Sequence, residues 1–278
     1  MHLKTSVRSA LRDSAVELGA IASTLSSTAQ QGFTRPRVHF LYFHALAPRD
    51  TIKFRRMLDK LSADHTFLSY SDAVKTVQRG PIDRPYIAFS FDDGLKSNIE
   101  VARILASYQT TGMFFVPPAI IGNGDIDDVQ RFYRYAPEVQ EITMDWAELA
   151  QLKSEGHEVG NHTLSHNSLS QISESAARDE IYEGAEAIRR ELGSCEHFAW
   201  PRGAFRHFPA RLKDAVFDSG HSSCASGVRG AHVAVEENHR ELCIRRELVA
   251  SYWPVRHSLF FVQRSARNAT PLHNAWPE

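Results

Sequence analysis

From residue 37 to residue 249 the hydrophobic pattern switches between short apolar runs and longer stretches with apolar positions three and four apart. The runs read as strands and the spaced stretches as helices. Arg37 to His44 is the first run. A strand there sends His39, Leu41 and Phe43 to one side and Phe40, Tyr42 and His44 to the other. A helix follows, capped by Asp50 or Thr51 and running to about Ala63, with Phe54, Met57, Leu58 and Leu61 on one face. Ser71 to Val77 predicts a shorter helix, and the turn-rich Arg79 to Pro85 leads into the strand Tyr86 to Phe91. Asn98 to Tyr108 is helical, with Ile99, Ala102, Ile104 and Leu105 as its buried stripe and Gly112 as terminator. Met113 to Val116 is a strand stopped by Pro117-Pro118.

Residues 121–143 break this rhythm. Gly122, Gly124, Asp125, Asp127 and Asp128 precede Phe132, Tyr133 and Tyr135 without a clean period, so the stretch reads as a long loop, either a functional rim or a surface insertion. Asp145 then caps a helix with Glu148 as its capping-box partner, and that helix ends near Gly156. His157 to Gly160 is a strand. Ile181, Ala185, Ile188 and Leu192 mark a long helix closed by Gly193, followed by the strand Glu196 to Trp200. A helix from Ala210 to Asp218, a strand from Ser222 to Ala225 and a strong strand from Leu242 to Val249 complete the series. Strands joined through helices must pair in parallel with right-handed crossovers. Six or seven such units give a (β/α) barrel or an open parallel sheet.

The 278 residues, 42% hydrophobic and 23% charged, suit one large α/β domain with a short appendage. A formal net charge of −1 gives no reason to expect a nucleic-acid partner. No apolar run is long enough for a membrane span. Cys195, Cys224 and Cys243 are an odd number without C-x-x-C spacing and read as free thiols, favouring a reducing compartment. In residues 1–30, Glu17 interrupts a mildly apolar run rich in Ala, Ser and Thr, which predicts an amphipathic helix and a polar linker rather than a secretory signal.

Chemistry concentrates at strand ends. Asp92 and Asp93 close the strand Tyr86–Phe91, and Gly94 lets the chain turn so that both carboxylates point into one cleft. The carboxyl ends of parallel strands are where such folds place their sites. Two adjacent carboxylates repel, and a cation is the usual way to keep both ionised. His162 and His166 follow another strand. On a helical turn, their four-residue spacing puts both imidazoles on one face, as a metal requires. Two neutral nitrogens and one carboxylate leave room for water and substrate, the donor set of a catalytic zinc site.

Taken together, Ser90-Phe-Asp-Asp-Gly94, His162-x-x-x-His166 and Phe198-Ala-Trp-Pro-Arg-Gly203 resemble the polysaccharide deacetylase family, the NodB-homology or carbohydrate esterase 4 group. The resemblance extends back to Tyr42-Phe-His44 and covers about residues 38–250. It implies a distorted, seven-stranded (β/α) barrel and a hydrolase that removes an N-acetyl or N-formyl group from an amino sugar. It also implies Asp93, His162 and His166 as metal ligands and Asp92 as the general base acting on a metal-activated water. The turn Pro201-Arg202-Gly203 would contribute the backbone N–H of Arg202 as oxyanion donor, and Trp200 and Phe198 would line the sugar wall.

Two departures stand out. Many members carry, just before the Pro-x-Gly turn, an arginine that orients the base; here Phe198 and Ala199 stand there, and Arg245 or Arg246 must supply the charge, with Arg245 favoured. Many also carry a late histidine as general acid, for which His257 follows no matching strand, leaving His44 as the better candidate. The expected ion is Zn²⁺, with Ni²⁺ or Co²⁺ as substitutes. Without a recognisable export signal, the expected setting is cytoplasmic, on a nucleotide- or lipid-linked sugar. The expected organisation is a helix and linker over 1–30, a catalytic domain over 31–260 and a weakly ordered tail over 261–278. The missing arginine and late histidine leave a non-catalytic sugar-binding protein as one alternative. A metal-dependent glycosyltransferase is another, though it leaves both histidines unexplained.

Overall fold

The computed structural model describes residues 16, 17, 19, 21, 33–134, 140–234, 241–270 and 276. The principal strands are β1 (Arg37–Phe43), β2 (Thr66–Phe67), β3 (Pro85–Asp92), β4 (Gly112–Val116), β5 (Glu158–Asn161), β6 (His197–Ala199), β7 (Ser223–Ala225), β8 (Cys243–Ile244) and β9 (Arg246–Leu248). The helices are α1 (Thr51–Ser62), α2 (Tyr70–Arg79), α3 (Asn98–Ser107), α4 (Ile126–Tyr133), α5 (Trp146–Ser154), α6 (Glu174–Leu192), α7 (Lys213–Asp218) and α8 (Val255–Arg267). All the pairings among these strands are parallel, in the order β8-β7-β6-β5-β4-β3-β1-β9, with β2 beside the lower half of β3.

The two edges of this sheet meet in sequence. β8 pairs with β7 at one edge, β9 pairs with β1 at the other, and only Arg245 separates them. One strand, broken at Arg245, therefore nearly closes a distorted (β/α) barrel. Eight strands lie along the path, and they amount to seven staves if the broken strand counts once.

Strand alternation sorts side chains to the two sides of this wall. Val38, Phe40, Ala88, Met113, Phe115, Ala199, Ala225 and Ile244 form the inner cluster, plugged by Tyr70, Ala73, Val74 and Val77 of α2. Leu41, Phe43, Ile87, Phe89, Phe91, Phe114 and Val116 face outward and are covered by Phe54, Met57, Leu58 and Leu61 of α1 and by residues of α3, α5 and α8. The inner face of β3 continues from Ala88 through Ser90 to Asp92, so a carboxylate emerges at the mouth above an apolar plug.

The structure departs from the sequence pattern in three places. Within 121–143 the chain forms α4, whose Asp125 cap accepts from the Asp128 N–H; eight residues were too few to establish a period. Leu242 to Val249 is divided at Arg245, because its two halves serve opposite edges of the barrel. The boundary expected at residue 260 falls inside α8, which packs on α1 and buries Val262 and Ala266. Of the first 30 residues, Val16, Glu17, Gly19 and Ile21 are helical, and Glu17 accepts hydrogen bonds from Arg256 and His257 of α8; the remainder of that expectation lies outside the described residues. His257 is thereby engaged by Glu17. No described helix is long and apolar enough to cross a membrane.

Candidate active site

At the end of β3 the chain turns through Asp93 and Gly94, both at positive φ (77° and 63°). A Cβ on Gly94 would sit 2.8 Å from Ile121 Cδ1 and 3.0 Å from Val116 Cγ1, so glycine is required by contact as well as by φ. The turn separates the two carboxylates. Asp92 keeps the inward direction of the strand, while Asp93 swings toward β5.

His162 follows β5, and its Nδ1 lies 2.7 Å from the Ala199 carbonyl at the end of β6. An N–H at Nδ1 donates to that oxygen, which leaves the Nε2 lone pair facing Asp93 Oδ1 at 3.6 Å. His166 Nε2 lies 3.3 Å from the same oxygen. The expected helical turn is absent between the two histidines. Thr163 (φ 63°) and His166 (φ 58°) are left-handed, and the loop is held instead by α6. Leu164 N–H donates to the Glu180 carbonyl, and Ser165 donates through N–H and hydroxyl to the Glu180 carboxylate. Asn161 Nδ2 donates to the Ile181 carbonyl. Gly184 permits this closeness, since a Cβ there would meet Asn161 Oδ1 at 2.6 Å and Leu164 N at 3.0 Å. Sequence reading missed Glu180 and Gly184, which lie on a helix chosen for its apolar stripe.

One ligand atom each from Asp93, His162 and His166 lie within 4.8 Å of one another. Burial, partly offset by the nearby aspartates, lowers the His162 pKa to about 4, so the ring is neutral at neutral pH, as a metal ligand must be. Burial alone would raise the Asp93 pKa; the hydrogen bond and charge of His166, with His44 and His162, hold it well below the ordinary value. Two imidazole nitrogens and one carboxylate oxygen suit a transition-metal ion and leave a coordination position for a reactant.

Asp92 has a different partner. Arg246 Nη1 and Nη2 donate to its two carboxylate oxygens at 2.7 and 2.9 Å, a buried bidentate pair. The guanidinium is fixed by Ser226 O, Ser90 Oγ and the faces of Tyr42 and Phe115. Burial alone would raise the Asp92 pKa, but the charge and hydrogen bonds of Arg246, with His162 and His44, together hold the carboxyl below its usual range. Arg245, the expected partner, points away and lies over Phe205. In a strand, neighbouring residues face opposite sides, so a choice between consecutive arginines is a choice of face that the charge pattern could not make.

The remaining expected residues divide. His44 is exposed at the mouth beyond β1; its ring centroid lies 5.8 Å from that of Tyr42, and its charge acts on both Asp92 and Asp93. Pro201, Arg202 and Gly203 form the turn above β6, with Arg202 exposed at φ 63°. Gly203 admits the next loop, its carbonyl accepting from Gly227 N–H. Trp200 is not a sugar wall. It is fully buried, stacked on Phe208 at 4.5 Å, with its indole N–H on the Ala204 carbonyl. Phe198 belongs to the same cluster outside the barrel.

Comparison with known proteins places this geometry. The family model described as polysaccharide deacetylase matches residues 79–219, just over half of the chain, spanning the Asp92-Asp93 turn, both histidines and the Pro201–Gly203 turn. The chain belongs to the polysaccharide deacetylase family. Among curated relatives of this deacetylase family chain, a chitooligosaccharide deacetylase of Sinorhizobium fredii is 26% identical over 167 residues, 59% of this chain and 64% of that protein. A peptidoglycan-N-acetylglucosamine deacetylase of Bacillus cereus is 26% identical over 124 residues, 44% and 38% of the two chains. The match thus spans less than two thirds of either relative. Two solved structures share the fold. IcaB from Ammonifex degensii aligns with TM-score 0.67 and 17% identity over 82% of this chain and 98% of that one. The Streptococcus pyogenes deacetylase PplD aligns with TM-score 0.62 and 15% identity over 81% and 98%.

Proposed function

We propose that this polysaccharide deacetylase family chain hydrolyses the N-acetyl (or N-formyl) amide of an amino sugar, with Asp93, His162 and His166 holding a divalent transition metal, zinc by preference. The observation that carries the reading is the division of labour in the Asp-Asp pair. Asp93 sits with the imidazoles of His162 and His166, while Asp92, one residue away, is committed to Arg246 and stays ionised. When bound, the ion supplies Lewis acidity that makes a water more acidic and polarises the amide carbonyl.

The chain's own groups do the rest. Asp92 accepts a proton from water at a carboxylate oxygen, with Arg246 holding the plane of that carboxylate. The backbone N–H of Arg202 donates to the developing oxyanion, a role independent of the arginine side chain. His44, solvent-exposed at the mouth, delivers a proton to the departing amine. Arg246 on Asp92 supports catalysis over the sugar-binding alternative, which had rested partly on the lack of an orienting arginine. The three cysteines are buried free thiols, from which we infer a reducing compartment.

Two variants test the assignment. Asp92→Asn is expected to retain about one zinc per chain and lose acetate release from N-acetylated sugars, whereas His162→Ala loses both. Acetate release by Asp92→Asn near the wild-type rate would remove Asp92 as the base.

A further inference from the structure

The described parts of the segment that leaves β4, residues 117–134 and 140–145, are stitched to both halves of the metal cluster. Toward Asp93, Met144 N–H donates to Gly94 O at 2.9 Å and Lys96 N–H to Ile142 O at 2.8 Å. Toward the histidines, Ala119 N–H donates to Leu164 O at 3.0 Å. In the first of these parts lies Tyr133, the last residue of α4. Its hydroxyl donates to the Asp93 carbonyl at 2.6 Å, within the protein interior. The same ring meets His166 edge-on, with centroids 5.0 Å apart and planes at 79°. Phe132 backs both rings, 4.9 Å from Tyr133 and 6.4 Å from His166.

We propose that Tyr133 is a positioning residue of the metal centre: its hydroxyl holds the Asp93 peptide and its ring holds His166, so that this segment sets how firmly the metal is retained. The inference rests on the metal reading given under Proposed function. Asp93 and His166 are both left-handed without being glycine, conformations that persist only where the surroundings impose them. A hydrogen bond to the Asp93 carbonyl fixes the peptide plane after the ligand, and with it the direction of the side chain. His162 is restrained separately, through Nδ1 on the Ala199 carbonyl. One phenol thus restrains two of the three ligands. Tyr133 also belongs to a small apolar cluster with Leu95, Ile120 and Val129, but that packing needs only its ring.

Tyr133→Phe keeps the ring and removes the hydroxyl. Zinc affinity by chelator competition, the rate of zinc release and the visible spectrum of the Co²⁺-loaded protein are measured beside wild type, with thermal unfolding of both metal-free proteins. Zinc binding is expected to weaken by roughly 10–100-fold, the range for groups that orient metal ligands. Release is expected to quicken and the Co²⁺ spectrum to change, while metal-free unfolding stays near wild type. Unchanged affinity and spectrum overturn the proposal. So does a fall in metal-free stability with unchanged affinity, which would make the hydroxyl merely structural. If Tyr133→Phe does not fold, Thr143→Val loosens the same segment by removing the hydroxyl bond to Ile120 O. It must also weaken zinc binding, and unchanged affinity there overturns the proposal equally. A wild-type chain that binds no zinc, nickel or cobalt refutes the metal reading itself, and this inference with it.

Discussion

Arg246 is buried with its charge matched by Asp92, and the two side chains depend on each other. Removing one partner of such a pair leaves an uncompensated charge in the interior, at about 3–5 kcal/mol. Arg246→Ala is therefore expected to destabilise by that order, measured by urea unfolding. Arg246→Lys keeps the charge but cannot make the fork, so the Asp92 carboxylate loses its fixed plane. Turnover is expected to fall by about 10²-fold, the effect of a small misplacement of the base proposed above. Arg245→Ala, which removes a half-buried cation from the face of Phe205, is expected to leave turnover close to wild type. Equal losses at the two positions would show that Arg246 acts as bulk charge rather than through its geometry. The sequence told which strand carried the cation, because both arginines lie on it. It could not tell the face, because Arg245-Arg246-Glu247 is charged on both parities.

At the scale of elements, the His162–His166 loop depends on how closely α6 approaches it, and Gly184 sets that approach. Adding a methyl in Gly184→Ala forces Asn161 Oδ1 and the Leu164 backbone to move. Overpacking of this kind costs about 1–3 kcal/mol, and zinc affinity should fall with it because the displaced backbone carries both proposed histidine ligands. Gly124→Ala is the comparison: a Cβ there meets nothing within 4 Å, so stability by urea unfolding is expected within about 0.5 kcal/mol of wild type. A Gly184→Ala protein as stable as Gly124→Ala would mean the loop yields freely. The alternation of strands and helices was legible because apolar period decides which face an element buries, as in Leu41 and Phe43 against Phe40. Elements that bury little left no such trace, as with the two-residue β2 and the eight-residue α4. Trp200 shows the opposite limit: an aromatic at a strand end beside a motif reads equally as wall or core, and only packing against Phe208 decides.

Across the whole molecule, the two ends of the barrel use histidine differently. The mouth gathers His162 and His166 around a carboxylate, whereas His65, His157, His197 and His221 lie near the opposite, amino-terminal ends of the strands. Burial, and for His65 the charge of Arg37, lowers the pKa to about 3 for His65 and His197, and burial lowers it to about 4 for His221. Their contacts show why they stay neutral. His65 Nε2 lies 2.7 Å from the Arg37 guanidinium, and His157 Nδ1 accepts from Gly112 N–H. A proton on either would put two cations together or turn an acceptor into a donor. In the unfolded chain these rings take up protons near their ordinary pKa of 6.5, which the folded chain refuses. Stability is therefore fully present above about pH 7 and is lost as pH falls from 6.5 toward the folded values. Each histidine contributes up to about 1.4 kcal/mol per pH unit in that window. Glu158 and Glu141, whose pKa values burial raises, act in the opposite sense and offset part of this. The urea midpoint is expected to be flat above pH 7 and to drop steeply toward pH 5. His197→Gln should shallow that slope by about one proton even though it lowers stability at pH 7. A midpoint unchanged between pH 7 and 5 would mean that the lower end of the barrel accepts charged imidazoles. The acid limit of the fold would then lie at the mouth and not in its foundation.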